Sequence, residues 1–160
     1  MSREEDLLKC LELLQDMGLK SDSITAVKHI PAQEARFADY PDDADPAVVN
    51  ALKGRGYSRL YSHQRSSWES LKQGKNVVIV TPTASGKTLC YNLPVLDAIV
   101  RNPSSRAIYL FPTKALSQDQ RAELDDITRL ISSEVRIFTY DGDTPQDARR
   151  AIRAQGHIVL

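Results

Sequence analysis

Asn76-Val77-Val78-Ile79-Val80-Thr81 runs straight into Pro82-Thr83-Ala84-Ser85-Gly86-Lys87-Thr88, and the apolar stretch Leu89-Cys90-Tyr91-Asn92-Leu93 follows. A short, continuous β-branched run reads as a buried strand, and the apolar stretch after the loop reads as a helix. This strand–loop–helix order is what a phosphate-binding loop requires. Backbone N–H groups in the loop and at the helix start point at phosphate oxygens, and the helix dipole adds positive potential there. Gly86 lets the backbone approach closely, Lys87 places a charge on the β- and γ-phosphates, and the Thr88 hydroxyl is a ligand for Mg²⁺. Thr83, Ala84, Ser85, Gly86, Lys87, Thr88 and Leu89 are therefore the candidate nucleotide-binding residues, with Lys87 and Thr88 the catalytic pair. The usual loop pattern opens with glycine, and Thr81 stands there in this chain.

Working outward, the pattern repeats. A helix is predicted over 62–73, and the loop's helix extends to about Arg101. Strands are predicted at 107–112, 135–142 and 157–160, with helices at 114–132 and 145–155 between them. Strands alternating with helices imply a parallel sheet covered by helices on both faces. The expected fold is thus α/β, a P-loop NTPase sheet, incomplete at the C-terminus because the chain stops inside a strand. On the N-terminal side, residues 1–56 read as a helical and extended arm, and 57–160 as the first part of the nucleotide-binding domain. Ser2 starts a leucine-rich helix that Gly18 is expected to end. The segment 31–46 carries three prolines and many acids and reads as an irregular strap. A short helix spans 46–53, stopped by Gly54 and Gly56.

Lys plus Arg balance Asp plus Glu at 21 each, but unevenly. Residues 1–50 hold 5 basic and 11 acidic side chains (5 − 11 = −6), and 51–160 hold 16 and 10 (16 − 10 = +6). A basic C-terminal part suits a polyanion, although on charge alone solvated surface charge is the better explanation. Cys10 and Cys90 form neither a metal cluster nor a disulfide framework, and reduced thiols imply a cytoplasmic protein. The N-terminus has no signal-peptide pattern, and no apolar run approaches the roughly 20 residues that cross a bilayer. His29, His63 and His157 lack metal-ligand spacing. Cys90 and Trp68 are expected in the core.

Three further segments narrow the class. Gly56-Tyr57-Ser58-Arg59-Leu60-Tyr61-Ser62-His63-Gln64 precedes the loop, Pro112-Thr113-Lys114-Ala115-Leu116-Ser117-Gln118 follows the second strand, and Tyr140-Asp141-Gly142-Asp143-Thr144-Pro145 follows the third. Together with the loop they resemble the superfamily 2 helicases of the DEAD/DEAH-box type. Within these the chain looks most like the MrfA-like (YprA-like) DNA repair helicases, relatives of the RecQ-like group. The first segment resembles the Q motif, which implies that Gln64 reads the adenine edge; an amide offers a donor and an acceptor side by side. Tyr57 or Tyr61 would pack on the base. The second resembles motif Ia, which implies strand contact by Pro112, Thr113, Lys114 and Gln118; a plain strand-to-helix turn capped by Thr113 is an adequate local explanation. The third implies contact by Gly142 and Thr144, with Asp141 and Asp143 holding the loop through backbone hydrogen bonds. Thr144 could cap the next helix, with Pro145 at its first position.

The resemblance implies an ATP- and Mg²⁺-dependent 3′→5′ helicase of DNA, single-stranded or duplex with a tail, serving repair with a second RecA-like domain. No acidic motif II lies within these residues, so they are expected to bind ATP weakly and hydrolyse nothing alone. Two other readings compete. One is another P-loop NTPase such as a nucleotide kinase, which would need an arginine-rich lid. The other is a non-catalytic nucleic-acid-binding module with residues 1–56 as a docking arm.

Overall fold

The computed structural model describes residues 3–20, 24, 26, 28, 31, 34–131 and 134–160. They fall into two units, Met1–Glu34 and Ala35–Leu160. The expected helix start at Ser2 lies outside the described residues.

The first unit is built on helix α1 (Arg3–Lys20). Its Leu7, Leu8, Leu11, Leu13, Leu14 and Met17 are all exposed. Gly18 does not end it: the helix continues to Lys20, and the Ile24 N–H returns to the Gly18 carbonyl at 3.2 Å. That bond satisfies a terminal carbonyl without a left-handed glycine cap.

In the second unit, β1 (Phe37–Ala38) pairs antiparallel with β2 (Leu60–Tyr61), setting Phe37 opposite Tyr61. Between them α2 (Pro46–Gly54) starts on Asp45, whose side chain accepts the Ala47 N–H, with Pro46 in the first turn. Gly56 at φ +92 then turns the chain toward β2. Helices α3 (Ser62–Lys72) and α4 (Leu89–Arg101) follow. The rest alternates: β3 (Ala107–Ile108), α5 (Lys114–Thr128), β4 (Ile137–Phe138), α6 (Gln146–Gln155) and β5 (Ile158–Val159). The three strands form a parallel sheet in the order β3-β5-β4. This is the expected α/β architecture.

The core joins α2, α3, α4, α5 and β5 through Val48, Leu52, Leu60, Trp68, Leu93, Leu96, Leu124, Ile127 and Ile158, each at most 2% exposed. Helix α3 has little apolar surface and buries one face through Gln64, Ser67 and Trp68 at spacings of three and four. Cys90 is buried as well, and burial pushes its thiol pKa up.

The strap is irregular apart from β1, as expected, and its residues 39–45 are tied to α3 and α4. The Asp45 N–H donates to Asp97 Oδ1 at 2.7 Å, Trp68 Nε1 to Asp43 Oδ1 at 3.2 Å, and Arg101 to the Asp43 carbonyl at 2.6 Å. The segment 76–81 is extended but joins no sheet among the described residues, and Val78 and Val80 are 89% exposed. The strand expected at 76–81 is therefore not formed: the sheet of the described residues runs β3-β5-β4 and pairs with this segment at neither edge. The segment's other face, Val77 and Ile79, shares a groove with Ser62, Ser66 and Ser70 of α3. The observed strands are also shorter than expected, and Leu110 is 89% exposed.

Candidate nucleotide and nucleic-acid site

The phosphate loop is a tight turn ahead of α4. Ala84 (φ +61) and Gly86 (φ +74) both sit in the left-handed region, so the backbone is turned inward at two nearly adjacent residues. A Cβ on Gly86 would lie 2.8 Å from Gln64 Nε2 and 3.5 Å from the Tyr61 ring. Lys87 folds over the turn, with Nζ 2.9 Å from the Thr81 carbonyl and 2.7 Å from that of Pro82. Thr81 and Ser85 share a hydroxyl–hydroxyl bond of 2.6 Å. Thr81 therefore serves as a brace where the usual pattern has glycine. Thr88 immediately precedes α4, and the first turn of that region is closed by the Leu89 N–H on the Gly86 carbonyl at 3.3 Å.

Gln64 ties this loop to α3. Its Oε1 accepts the Tyr61 N–H at 2.8 Å, capping the helix start, and its Nε2 donates to the Gly86 carbonyl at 2.8 Å. The residue is 5% exposed. An amide holds two N–H donors and two lone pairs, so one of each remains for a ligand.

Gln64, Gly86, Thr88 and Leu89 line a cavity of about 350 Å³ together with Tyr57, Tyr61 and Phe37. Phe37 stacks on Tyr61 at 5.2 Å between centroids, and Tyr61 on His63 at 5.7 Å. Arg59 lies over the Phe37 ring. The sequence reading missed Phe37, Arg59 and Glu123 as lining residues. Phe37 reaches the cavity only through the β1–β2 pairing across 23 intervening residues (37 to 61), so no local spacing marked it. Tyr57 Oη donates to Glu123 at 3.4 Å, and burial followed by the carboxylate's charge keeps that phenol protonated.

The two candidate strand-binding loops meet at the start of α5. Thr113 caps the helix, its Oγ1 accepting the Leu116 N–H at 3.3 Å, and Pro112, Lys114 and Gln118 are exposed. Lys114 pairs with Asp143 and lies 3.6 Å from Asp141 Oδ2. Gln118 and Thr144 share an open groove with Arg121 and Thr139. Asp141 Oδ1 accepts the Asp143 N–H at 2.9 Å, as expected of an acid that holds its own loop. That bond, followed by the Lys114 charge and the Thr144 hydroxyl, lowers the Asp141 pKa. Thr144 does not cap α6: its hydroxyl accepts the Asp141 N–H, and Pro145 is the residue before the helix. Gly142 is exposed, with nothing within 4 Å of where a Cβ would stand.

A left-handed glycine turn at the head of a helix, a lysine folded over it and a glutamine-gated aromatic cavity beside it define a P-loop nucleotide-binding domain. Residues 61–160 match the DEAD/DEAH box helicase family, and this chain belongs to that family. It is 44% identical over 149 residues to the uncharacterized ATP-dependent helicase YprA of Bacillus subtilis, covering 93% of this chain and 20% of that protein. It is 37% identical to the ATP-dependent helicase HRQ1 of Saccharomyces cerevisiae, over 89% of this chain and 14% of the relative. The crystal structure of the DUF1998 helicase MrfA bound to DNA and AMPPNP superposes with a TM-score of 0.78 at 45% identity, over 89% of this chain and 21% of that one. The chain thus spans about a fifth or less of the length of these relatives. Among the described residues no helix is long and apolar enough to cross a membrane.

Proposed function

We propose that this chain is the nucleotide-binding part of an ATP-driven 3′→5′ DNA helicase motor that serves DNA repair in the cytoplasm. The observation that carries the reading is Gln64, one side chain bonded both to the start of α3 and to the Gly86 carbonyl of the phosphate loop. It holds the base-reading cavity and the phosphate cradle in one piece and keeps a free donor and acceptor for an adenine edge. The likeness to helicases solved with DNA and AMPPNP supports the same ligands here.

The residues fit ATP with Mg²⁺. The cradle at Gly86 has no room for a Cβ, and Lys87 now rests on two loop carbonyls that phosphate oxygens would replace. Thr88 would hold Mg²⁺, which neutralises phosphate charge when bound. Thr83, Ala84, Ser85 and Leu89 complete the nucleotide contact. Pro112, Thr113, Lys114, Gln118, Gly142 and Thr144 would contact a DNA strand, single or tailed, with a second RecA-like domain as partner. No motif II acid occurs within these residues, so hydrolysis is not expected of them alone.

The test is binding of fluorescent ATP and GTP by wild type, Lys87→Ala and Gln64→Ala. Lys87→Ala should weaken ATP about tenfold or more, the loss expected of charged hydrogen bonds. Gln64→Ala should erase the preference for ATP. Equal binding of both nucleotides by wild type would remove the adenine-reading role.

A further inference from the structure

Lys114 is the cation of the first strand loop, yet its ammonium is engaged by acids of the second loop. It pairs with Asp143, and Asp141 Oδ2 lies 3.6 Å away. The lysine side chain is 54% exposed and that of Asp143 is 85% exposed, so the pair opens onto solvent. Asp141 is the fixed member. Its Oδ1 takes the Asp143 N–H at 2.9 Å and the Thr144 hydroxyl at 3.3 Å. Arg149 braces the same loop from behind, donating to the carbonyls of Thr144 at 2.8 Å, Asp141 at 3.1 Å and Gly142 at 3.2 Å. It also lies over the Tyr140 ring. A loop held this firmly presents its carboxylate at one place, and that place is the ammonium of Lys114.

Carboxylate and phosphate oxygens make the same charge-assisted hydrogen bond to an ammonium, so Lys114, with Asp143 and Asp141 beside it, offers a strand phosphate less net charge and fewer free N–H donors. We propose that Asp143 occupies on Lys114 the place of a strand phosphate, so that DNA binding exchanges one anion for the other. Asp143 is then a positioning residue that sets strand affinity through Lys114. This rests on the reading of Lys114 as a strand contact.

The test is a double-mutant cycle in the natural full-length protein, with a fluorescein-labelled oligodeoxythymidylate as probe and salt as a second variable. Asp143→Asn is expected to tighten binding about two- to fivefold at low salt, the worth of an exposed pair. The gain should shrink as salt screens the pair. In a Lys114→Ala background Asp143→Asn should change nothing, and Asp143→Glu, which keeps the charge, should bind as wild type does. Equal tightening in both backgrounds would mean general repulsion of DNA and would overturn the exchange. So would no tightening while Lys114→Ala weakens binding. If Lys114→Ala leaves binding and its salt slope unchanged, Lys114 is no strand contact; the exchange then falls because that earlier reading failed.

Discussion

Residues 35–101 and 107–160 treat their polar side chains in opposite ways. In the first stretch two decisive polar groups, Gln64 and Asp97, are buried and bonded to more than one partner. Gln64 bridges two backbone groups, and Asp97, 1% exposed, takes the Asp45 N–H and Arg101 on Oδ1 and Lys72 on Oδ2. In the second stretch the decisive groups lie at the surface in pairs that solvent reaches, Lys114 with Asp143 and Arg121 with Asp125. Among its buried side chains, His157 is kept uncharged by burial and nearby arginines. Under the proposed function, the difference fits a site that holds a nucleotide in one fixed geometry beside a site that releases and retakes a strand. Preorganisation favours the first task, and exchangeable electrostatics the second.

The largest effect is expected where the first arrangement is broken at its centre. Asp97→Ala leaves the Asp45 N–H without its acceptor and strips two cations of their shared partner. Lys72 and Arg101 are 41% and 46% exposed and can turn to water, which limits the loss. Roughly 2–4 kcal/mol of stability should go, read by urea unfolding, with the strap at Asp43–Asp45 released. Asp97→Asn should lose less, since an acceptor remains. A loss below about 0.5 kcal/mol for Asp97→Ala would show that apolar packing and the Asp43 bonds hold the strap without the Asp97 carboxylate.

A matched pair of glycines sharpens the contrast. Gly86→Ala forces a side chain to φ +74 and drives its Cβ to 2.8 Å from Gln64 Nε2. A cost of about 1–3 kcal/mol is expected, together with weakened ATP binding because Gln64 must move. Gly142 lies in the loop before α6 with open space around it and no left-handed φ. Gly142→Ala should stay within about 0.5 kcal/mol of wild type by thermal melting. Equal costs at the two positions would mean that the loops are equally rigid.

The contrast also explains what could be read from the sequence. The turn at the head of α4 was legible because its signal is local: Gly86-Lys87-Thr88, then an apolar helix. The α/β alternation was legible for the same reason, since each element carries its own period. Most of what failed depended on partners distant in the chain. Nothing in Asn76–Thr81 shows that β3, β5 and β4 pair without it. Phe37 sits in an acidic strap and gains its place through Tyr61. Thr144 followed by Pro145 reads as a helix start, and the Asp141 N–H wins the hydroxyl instead. Lys114 was legible as a cation, while its pairing with Asp143 depends on how two loops pack.

The smallest effect should come from His157, and it separates the two stretches by pH. Its Nδ1 accepts the Arg136 backbone N–H at 3.0 Å, which requires that nitrogen to be unprotonated. Burial lowers the imidazole pKa first, and the Arg136 and Arg106 charges lower it further, while a Pro103 backbone bond and Glu134 oppose them weakly. The folded imidazole thus binds a proton less readily than the unfolded one, whose pKa is about 6.5. Stability from this group is complete above that value and declines as pH falls below it toward the lowered folded pKa. Urea midpoints should therefore drop on acidification through pH 6, and His157→Gln should remove that part of the drop. The amide oxygen of the variant can still accept the Arg136 N–H, so its stability at neutral pH should stay near that of wild type. An unchanged pH slope in the variant would place the acid sensitivity among the surface carboxylates, and the second stretch would then owe its response to pH to its ion pairs.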